Sequence, residues 1–172
     1  MADESARVPE LDPFREKSAI ERYADRLAQK RTITWFLLTV GNKLDPILMR
    51  LTGGRFNTTG TDAVVILHHT GARTGNARQT PLVYFTEGEN VVLVASNGGS
   101  IRPPAWLHNV RANPDVELWV GKRGGPYRAR VAAPNERAAL WPKANALYSG
   151  YNRYQELAGD RQIQLVICEP RD

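Results

Sequence analysis

From Ala63 onward, hydrophobic positions fall into short runs that are typical of β-strands. Three of them, Val64–Leu67, Pro81–Phe85 and Val91–Val94, are rich in β-branched and aromatic residues and too short for helices. Glu87–Asn90 separates the last two runs and predicts a hairpin turn. Further strands are predicted at Val116–Val120, Tyr127–Ala133 and Ile163–Cys168, with a Gly-rich turn over Lys122–Pro126.

Helical patterns occupy the first third of the chain and two later segments. Apolar residues recur at helical spacing from Phe14 to Lys30. A second helical region runs from Ile33 to Leu51, is broken near Gly41 and Pro46, and ends before Gly53. Residues 1–13 carry two prolines among charges and predict an extended or loose arm. Two more helices are expected, one from Pro103 through Val110 and one from Asn135 to about Tyr148.

Six strands joined mostly by hairpins predict a mainly β chain with helices (α+β), folded as a small antiparallel barrel rather than a βαβ sheet. No stretch between the strands has the composition of a linker. We therefore expect a single domain over residues 1–172. It would consist of an N-terminal helical extension, residues 1–55, and a barrel core, residues 56–172.

Composition places the chain among ordinary globular proteins and gives it an affinity for anions. Its 172 residues are 42% hydrophobic and 24% charged, with a net charge of +5. The single Cys168 excludes an internal disulfide, and no signal-peptide pattern opens the chain, so we expect a cytoplasmic protein. The apolar stretch Ile33–Leu51 is too interrupted by charges to span a membrane, although it could lie on a membrane surface.

The segment Thr70–Pro81 predicts an anion cradle. It places Arg73 and Arg78 beside two glycines, and guanidinium groups match phosphate or carboxylate oxygens in pairs. Glycine allows backbone N–H groups to approach a ligand closely. A second loop of small residues, Ala95–Ser100, follows the strand Val91–Val94, so two loops could grip one cofactor.

The histidines and the cysteine do not indicate a metal site. His68 and His69 are adjacent in a predicted strand and therefore point to opposite faces, and no Cys or carboxylate stands at ligand spacing. We predict no metal. Cys168 lies in an apolar run and is expected to be a small core residue rather than a nucleophile.

Ordered motifs over about residues 40–170 resemble the deazaflavin-dependent nitroreductase family, whose members bind coenzyme F420 on a split antiparallel β-barrel of the type found in FMN-binding and pyridoxamine-oxidase-like proteins. The motifs, in chain order, are Asn42–Asp45, Leu51–Arg55, Thr70–Pro81, Ala95–Gly99, Pro104–Asn109, Ala112–Pro114 and Cys168–Pro170. Ala72 and Asn97 stand where family members often have basic residues. Either phosphate affinity is lower here, or Arg55 or Arg102 compensates.

The resemblance implies an oxidoreductase that moves a hydride from reduced F420 to a quinone, a nitroaromatic or nitroimidazole compound, or an activated enone. It also implies three groups of site residues. The cofactor would be bound by Arg73, Thr74, Gly75, Arg78, Thr80, Pro81, Ser96, Asn97 and Gly98. The substrate would meet Tyr148, Tyr151, Tyr154 and Trp106. Ser96 and Tyr154 are the candidate catalytic residues, steadying negative charge on the acceptor.

Other interpretations of the same residues remain open. Arg73 and Arg78 could simply solvate a hairpin turn, and the three tyrosines could be a packing stripe. FMN could replace F420 on the same barrel, or the chain could be a non-catalytic protein that binds anions or a membrane surface.

Partners follow from these alternatives. We expect a small hydride acceptor such as menaquinone and no nucleic acid, because the basic residues form no recognised motif. Trp35 and Phe36 could anchor the chain peripherally at the inner face of the cell membrane, although they could equally cover the barrel. The chain is expected to be a monomer or a homodimer.

Overall fold

The structure, a computed structural model, describes residues 7–16 and 64–171. Its strands are β1 (Val64–Thr70), β2 (Ala77–Glu87), β3 (Asn90–Val94), β4 (Asp115–Val120), β5 (Arg123–Val131) and β6 (Leu165–Pro170). Its helices, numbered within these residues, are α1 (Ala105–Ala112), α2 (Pro134–Leu147) and α3 (Gly150–Leu157), and a short 3-10 turn spans Asn97–Gly99.

The six strands close into a barrel in the order β1-β2-β3-β6-β5-β4, and every neighbouring pair is antiparallel. Closure is made by β4, which returns to β1 with Leu118 opposite Leu67. Both leucines are fully buried, as are Leu93 and Leu165 on β3 and β6. The predicted antiparallel barrel is therefore confirmed, with its core formed by the inward side chains of each strand.

Residues 7–16 form a strap that packs on the barrel instead of a loose arm. The Leu11 N–H donates to the Thr86 hydroxyl over 2.9 Å, and the Thr86 N–H donates back to the Leu11 carbonyl over 3.1 Å. The Tyr84 hydroxyl donates to the Pro9 carbonyl over 3.1 Å, and Val8 and Leu11 are buried. Of the predicted helix Phe14–Lys30 the structure describes residues 14–16, which are not helical and lie at a turn in which the Arg15 N–H donates to the Asp12 carbonyl over 3.2 Å. The described residues do not include the rest of that helix, the region Ile33–Leu51 or most of the extension 1–55.

The predicted loop Thr70–Pro81 and the predicted turn Lys122–Pro126 are both shorter in the structure. Arg78, Thr80 and Pro81 belong to β2, since the β1–β2 ladder continues to Thr70 opposite Ala77. Likewise only Gly121 and Lys122 form the turn predicted over Lys122–Pro126, and the rest of that stretch is strand. Gly124 lets the strand continue here. Its φ is 151°, and the Leu118 carbonyl oxygen occupies the place that a side chain would take.

The last predicted strand is displaced by two residues. It spans Leu165–Pro170 rather than Ile163–Cys168, although Ile163 is fully buried. Burial before a strand and burial within one give the same apolar signal in sequence.

Candidate functional site: a cationic cleft beside the β1–β2 turn

The turn between β1 and β2 is closed by its own backbone. The Gly71 N–H donates to the Asn76 carbonyl and the Gly75 N–H to the Gly71 carbonyl, each over 2.8 Å. Gly75 has a φ of 68°, a conformation that costs glycine little. This N–H is used within the turn, and the contact of Gly75 with the cofactor stays a prediction.

A cleft of about 590 Å³ lies between this turn and α1. Its lining brings together five of the predicted cofactor or substrate residues: Arg73, Thr74, Arg78, Thr80 and Trp106. Gly71 leaves the room for this arrangement, since a Cβ there would lie 2.7 Å from the Thr74 hydroxyl and 3.2 Å from Arg78 Nε. The guanidinium groups of Arg73 and Arg78 thus face one cleft. At position 71 of the neighbouring turn, any residue larger than glycine would displace Thr74 and Arg78.

A buried histidine, His69, lines the cleft, although it is not among the predicted site residues. Val65, Leu67 and His69 occupy alternate positions of β1 and are 0%, 0% and 6% exposed, so His69 continues the inward face of the barrel to its end. Its Nε2 lies 3.0 Å from the Thr80 hydroxyl and its Nδ1 lies 3.2 Å from Asn109 Nδ2. The Asn109 Oδ1 in turn accepts from the Ala72 N–H over 2.9 Å.

The surroundings of His69 keep its imidazole neutral. Burial lowers its pKa to about 4, assisted by the positive charge of Arg78 and by His68. His69 therefore acts at neutral pH as a hydrogen-bonding group with one N–H and one bare nitrogen.

The second predicted loop is shaped by backbone in the left-handed region. Asn97, Gly98 and Gly99 have φ values of 49°, 60° and 76°, and asparagine is the residue other than glycine that best tolerates this conformation. Asn97 Nδ2 donates to the Arg102 carbonyl over 3.0 Å. The Asn97 side chain, predicted to contact the cofactor, therefore braces its own loop.

Arg161 clamps this loop, although it is not among the predicted site residues. Its guanidinium donates to the carbonyls of Ala95, Ser96 and Ser100 over 3.1, 2.7 and 2.9 Å. An isolated arginine that lies 61 to 66 residues after the carbonyls it binds carries no pattern that could have revealed this contact.

The three predicted substrate tyrosines form one aromatic cluster. The Tyr148 ring lies 5.1 Å from Tyr151 and 5.7 Å from Tyr154 between centroids, and the Tyr148 and Tyr154 hydroxyls are 3.1 Å apart. Tyr148 itself ends α2 in extended backbone and α3 begins at Gly150, over which the Tyr148 ring packs. Tyr151 and Tyr154 are only 5% and 9% exposed, so these two rings also serve as core.

The loop and the tyrosine cluster meet at Gly99. A Cβ on Gly99 would lie 2.9 Å from both the Tyr154 carbonyl oxygen and the Leu157 Cβ. Ser96 is therefore held near α3, but the described lining of the cationic cleft does not include Pro81, Ser96, Asn97, Gly98 or the tyrosines. Their contacts with cofactor or substrate stay predictions.

A second cleft of about 720 Å³ shares His69, Arg78 and Gln79 with the first and extends toward β4 and Arg171. His68 lines it opposite Glu117. Burial lowers the His68 pKa, and the Glu117 charge opposes this.

Within residues 7–16 and 64–171, no three His, Cys, Asp or Glu side chains are placed to hold a metal ion. In the same part of the chain no helix has the length and apolar character to cross a membrane.

The residues of the cationic cleft fit a cofactor with a phosphodiester and an aromatic ring. Arg73 and Arg78 offer paired donors to phosphate oxygens, Thr80 offers a hydroxyl, and Trp106 contributes an aromatic wall. Such a site on a closed antiparallel barrel defines a small cofactor-binding barrel protein.

Comparison with known proteins identifies the group. The sequence model of the F420H(2)-dependent quinone reductases matches residues 46–170, and the chain belongs to this family. It is 36% identical over 134 residues to the F420H(2)-dependent quinone reductase Rv1261c of Mycobacterium tuberculosis, an alignment that covers 75% of this chain and 89% of that one.

Two solved structures agree. An F420-H2-dependent reductase, FDR-A, is 36% identical with a TM-score of 0.58 over 62% of this chain and 94% of its own. A structure described as a domain-swapped dimer is 31% identical with a TM-score of 0.59, over 72% and 95% of the two chains. The predictions of family, barrel fold, oxidoreductase class and F420 as cofactor are confirmed.

Proposed function

We propose that this protein reduces a quinone of the menaquinone type with a hydride from F420H2 bound in the cationic cleft. The observation that carries the proposal is the convergence of Arg73, Arg78, Thr80 and Trp106 on one cleft in a member of this family. The quinone accepts the hydride together with one proton and leaves as the quinol.

The residues of the cleft bind and orient rather than act as strong acids or bases. When bound, the reduced deazaflavin supplies the hydride. Arg73 and Arg78 neutralise its phosphodiester, Arg73 from the turn that its own backbone closes and Arg78 from the start of β2. Trp106, only 5% exposed on α1, is held by packing and limits the width of the cleft.

The tyrosine cluster is the proposed acceptor side. The hydroxyls of Tyr148 and Tyr154 are 3.1 Å apart, and a phenol held in this way can donate to a quinone oxygen as negative charge builds on it. Ser96, on the loop that packs against α3 through Gly99, is the proposed second donor.

Equilibrium titration with F420, followed by tryptophan fluorescence, tests the cofactor half. We expect micromolar or tighter binding, weakened about tenfold or more in Arg73→Ala and in Arg78→Ala, because a charged hydrogen bond contributes about 1.5 to 3 kcal/mol. Arg128→Ala is the control, because it removes the same charge from a residue that pairs with Asp115 outside the cleft. Binding of FMN but not F420 would contradict the proposal.

Steady-state oxidation of F420H2 tests the acceptor half. Menaquinone analogues should be reduced faster than nitroaromatic compounds or enones of similar size. Tyr154→Phe should lower kcat with a menaquinone analogue while F420 affinity stays unchanged. Equal turnover of all three acceptor classes would contradict the assignment of a quinone.

We infer further that the protein works in the cytoplasm against the inner face of the membrane, because a menaquinone-type substrate resides in the bilayer. Flotation with anionic liposomes should carry the full chain, and the bound fraction should fall at high salt, given the net charge of +5. Absence from the floating fraction at low salt would contradict membrane contact.

A homodimer is the assembly we propose, with support from the relative described as a domain-swapped dimer at 31% identity. Light scattering on a sizing column should give twice the mass of 19.2 kDa. A single peak at the monomer mass at micromolar concentration would contradict it.

A further inference from the structure

The hydrogen bonds beneath the cationic cleft have only one direction that satisfies every group. The chain of contacts runs from the Ala72 N–H through Asn109 and His69 to the Thr80 hydroxyl. A backbone N–H can only donate, so the Asn109 atom that faces Ala72 must be the amide oxygen. The Asn109 amide nitrogen therefore faces His69 Nδ1 as a donor.

This direction fixes the proton on His69. Because Nδ1 accepts from Asn109, it carries no hydrogen, and a neutral imidazole then carries its hydrogen on Nε2. That N–H faces the Thr80 oxygen at 3.0 Å and donates to it. The Thr80 hydroxyl, having accepted from His69, directs its own hydrogen elsewhere, and Thr80 lines the cleft.

We infer that His69 and Asn109 are positioning residues that present the Thr80 hydroxyl to the cofactor as a hydrogen-bond donor and tie that donor to the arginine-bearing turn at Ala72. The inference rests on the proposed function and deepens it by giving the polarity that the ligand must have at this point. The atom of the cofactor beside Thr80 must be an acceptor, such as a ring carbonyl or a phosphate oxygen.

The arrangement couples two parts of one binding site. Ala72 immediately precedes Arg73, so the bond from its N–H to Asn109 anchors the turn to α1. The same amide orients His69, which belongs to β1, and through it Thr80 on β2. One side chain on α1 thus sets both the position of the turn and the direction of the hydroxyl.

Nuclear magnetic resonance of the cofactor-free protein tests the direction without relying on activity. Long-range 1H–15N correlations of the histidine rings at neutral pH should show a hydrogen on His69 Nε2 and none on Nδ1. His69→Gln assigns the signals, and His108→Gln, altered at an exposed position of α1, is the matched control. A hydrogen on Nδ1, alone or with one on Nε2, would overturn the inference.

Asn109→Asp sharpens the same measurement. A carboxylate can still accept from the Ala72 N–H but cannot donate to His69, so the hydrogen should move to Nδ1 in a variant of nearly unchanged shape. If the signals of His69 stay those of the original protein, Asn109 does not set the tautomer and the inference fails.

Titration with F420 tests the donor at the cleft. Thr80→Val keeps the shape but removes the hydroxyl and should weaken binding about tenfold, whereas Thr80→Ser should stay within about threefold of the original. Thermal unfolding of each variant verifies folding. Equal affinity of Thr80→Val and the original protein would overturn the role of Thr80. Absence of F420 binding by the original protein would overturn the proposed function and the donor role with it, while the ring signals still decide the direction.

Discussion

The guanidinium of Arg161 donates to the carbonyl oxygen of Ser96 over 2.7 Å. This bond joins the segment that follows α3 to the loop that follows β3, two parts of the chain that are 65 residues apart. Two further bonds from the same side chain reach Ala95 and Ser100, so one arginine determines the path of the loop that carries Ser96.

Arg161→Ala should lower the free energy of unfolding by about 2 to 3 kcal/mol, because three carbonyls, two of them in part-buried bonds, lose a charged donor. Arg161→Lys should recover a minor part, since an ammonium cannot span three acceptors in one plane. Chemical denaturation measures both. Arg153→Ala, which removes an exposed ion pair with Glu156 on α3, is the control and should change stability by less than about 0.5 kcal/mol. Equal effects of Arg161→Ala and Arg153→Ala would refute the clamp.

Gly71→Ala should weaken F420 binding more than it weakens folding. The new methyl would lie 2.7 Å from the Thr74 hydroxyl, which must move, and 3.2 Å from Arg78 Nε, which must shift by a few tenths of an ångström. We expect a loss of affinity of about tenfold or more, measured by titration, because displacement of Arg78 weakens its hydrogen bonds to the cofactor.

Gly88→Ala is the matched control for Gly71→Ala. Gly88 turns the β2–β3 hairpin with a φ of 58° and open space around it, so alanine there should cost about 1 kcal/mol of stability through backbone strain and leave F420 affinity unchanged. A Gly71→Ala protein that binds F420 like the original would contradict the requirement for space at this turn.

The barrel and half of the site were predictable because local patterns carry them. Runs such as Val91–Val94 mark strands whatever they pair with, and Arg73, Arg78 and Thr80 lie within ten residues of each other, in a motif that folds on itself. His69, Asn109 and Arg161 were missed because their roles exist only after distant elements meet. A histidine at the end of an apolar run, an asparagine in a helix and an arginine in a loop have no periodicity that indicates a partner.

The extent of the turns escaped prediction for a related reason. Gly124 and Gly125 indicate a turn by composition, yet they lie in β5 because β4 approaches so closely that a side chain at Gly124 would meet the Leu118 carbonyl. The sequence shows that a glycine stands there, but only the neighbouring strand shows why it is needed.

Stability should fall as the pH is lowered from about 6.5 toward 4, in part because of His69. The folded imidazole has a pKa of about 4 against a usual value of 6.5, so within this window the unfolded chain binds a proton that the folded chain refuses. The contribution is about 3 kcal/mol for a shift of this size, at about 1.4 kcal/mol per pKa unit. Denaturation in this range should show a shallower pH dependence in His69→Gln than in His108→Gln, and identical slopes would contradict a buried neutral His69.

Glu136 should add a second, more acidic step. Hydrogen bonds from Arg130 at 2.8 Å and from the Ala133 N–H at 2.7 Å lower the pKa of this carboxyl to about 2 from its usual 4.5. Its stabilising effect is complete above 4.5 and is lost as the pH falls toward 2, since the folded carboxylate resists protonation longer. Glu136→Gln should reduce the pH dependence of the free energy of unfolding, and should do so below pH 4.5 only. Flattening above that value would contradict the assignment.

Cys168 should be inert to thiol reagents until the barrel opens. It is 0% exposed, and both edges of its strand are paired, with Val91 on β3 and Ala129 on β5 opposite it. Burial, with a smaller effect of Glu169, raises the pKa of the thiol to about 12, so almost no reactive thiolate exists in mildly alkaline solution. The rate of labelling by an aromatic disulfide should therefore equal the rate of global unfolding and rise with urea.

Lys122→Cys, in the exposed β4–β5 turn, should label at once under the same conditions. Labelling of Cys168 as fast as Lys122→Cys would show that β6 separates from the barrel without global unfolding, contrary to a core closed on both sides of this strand.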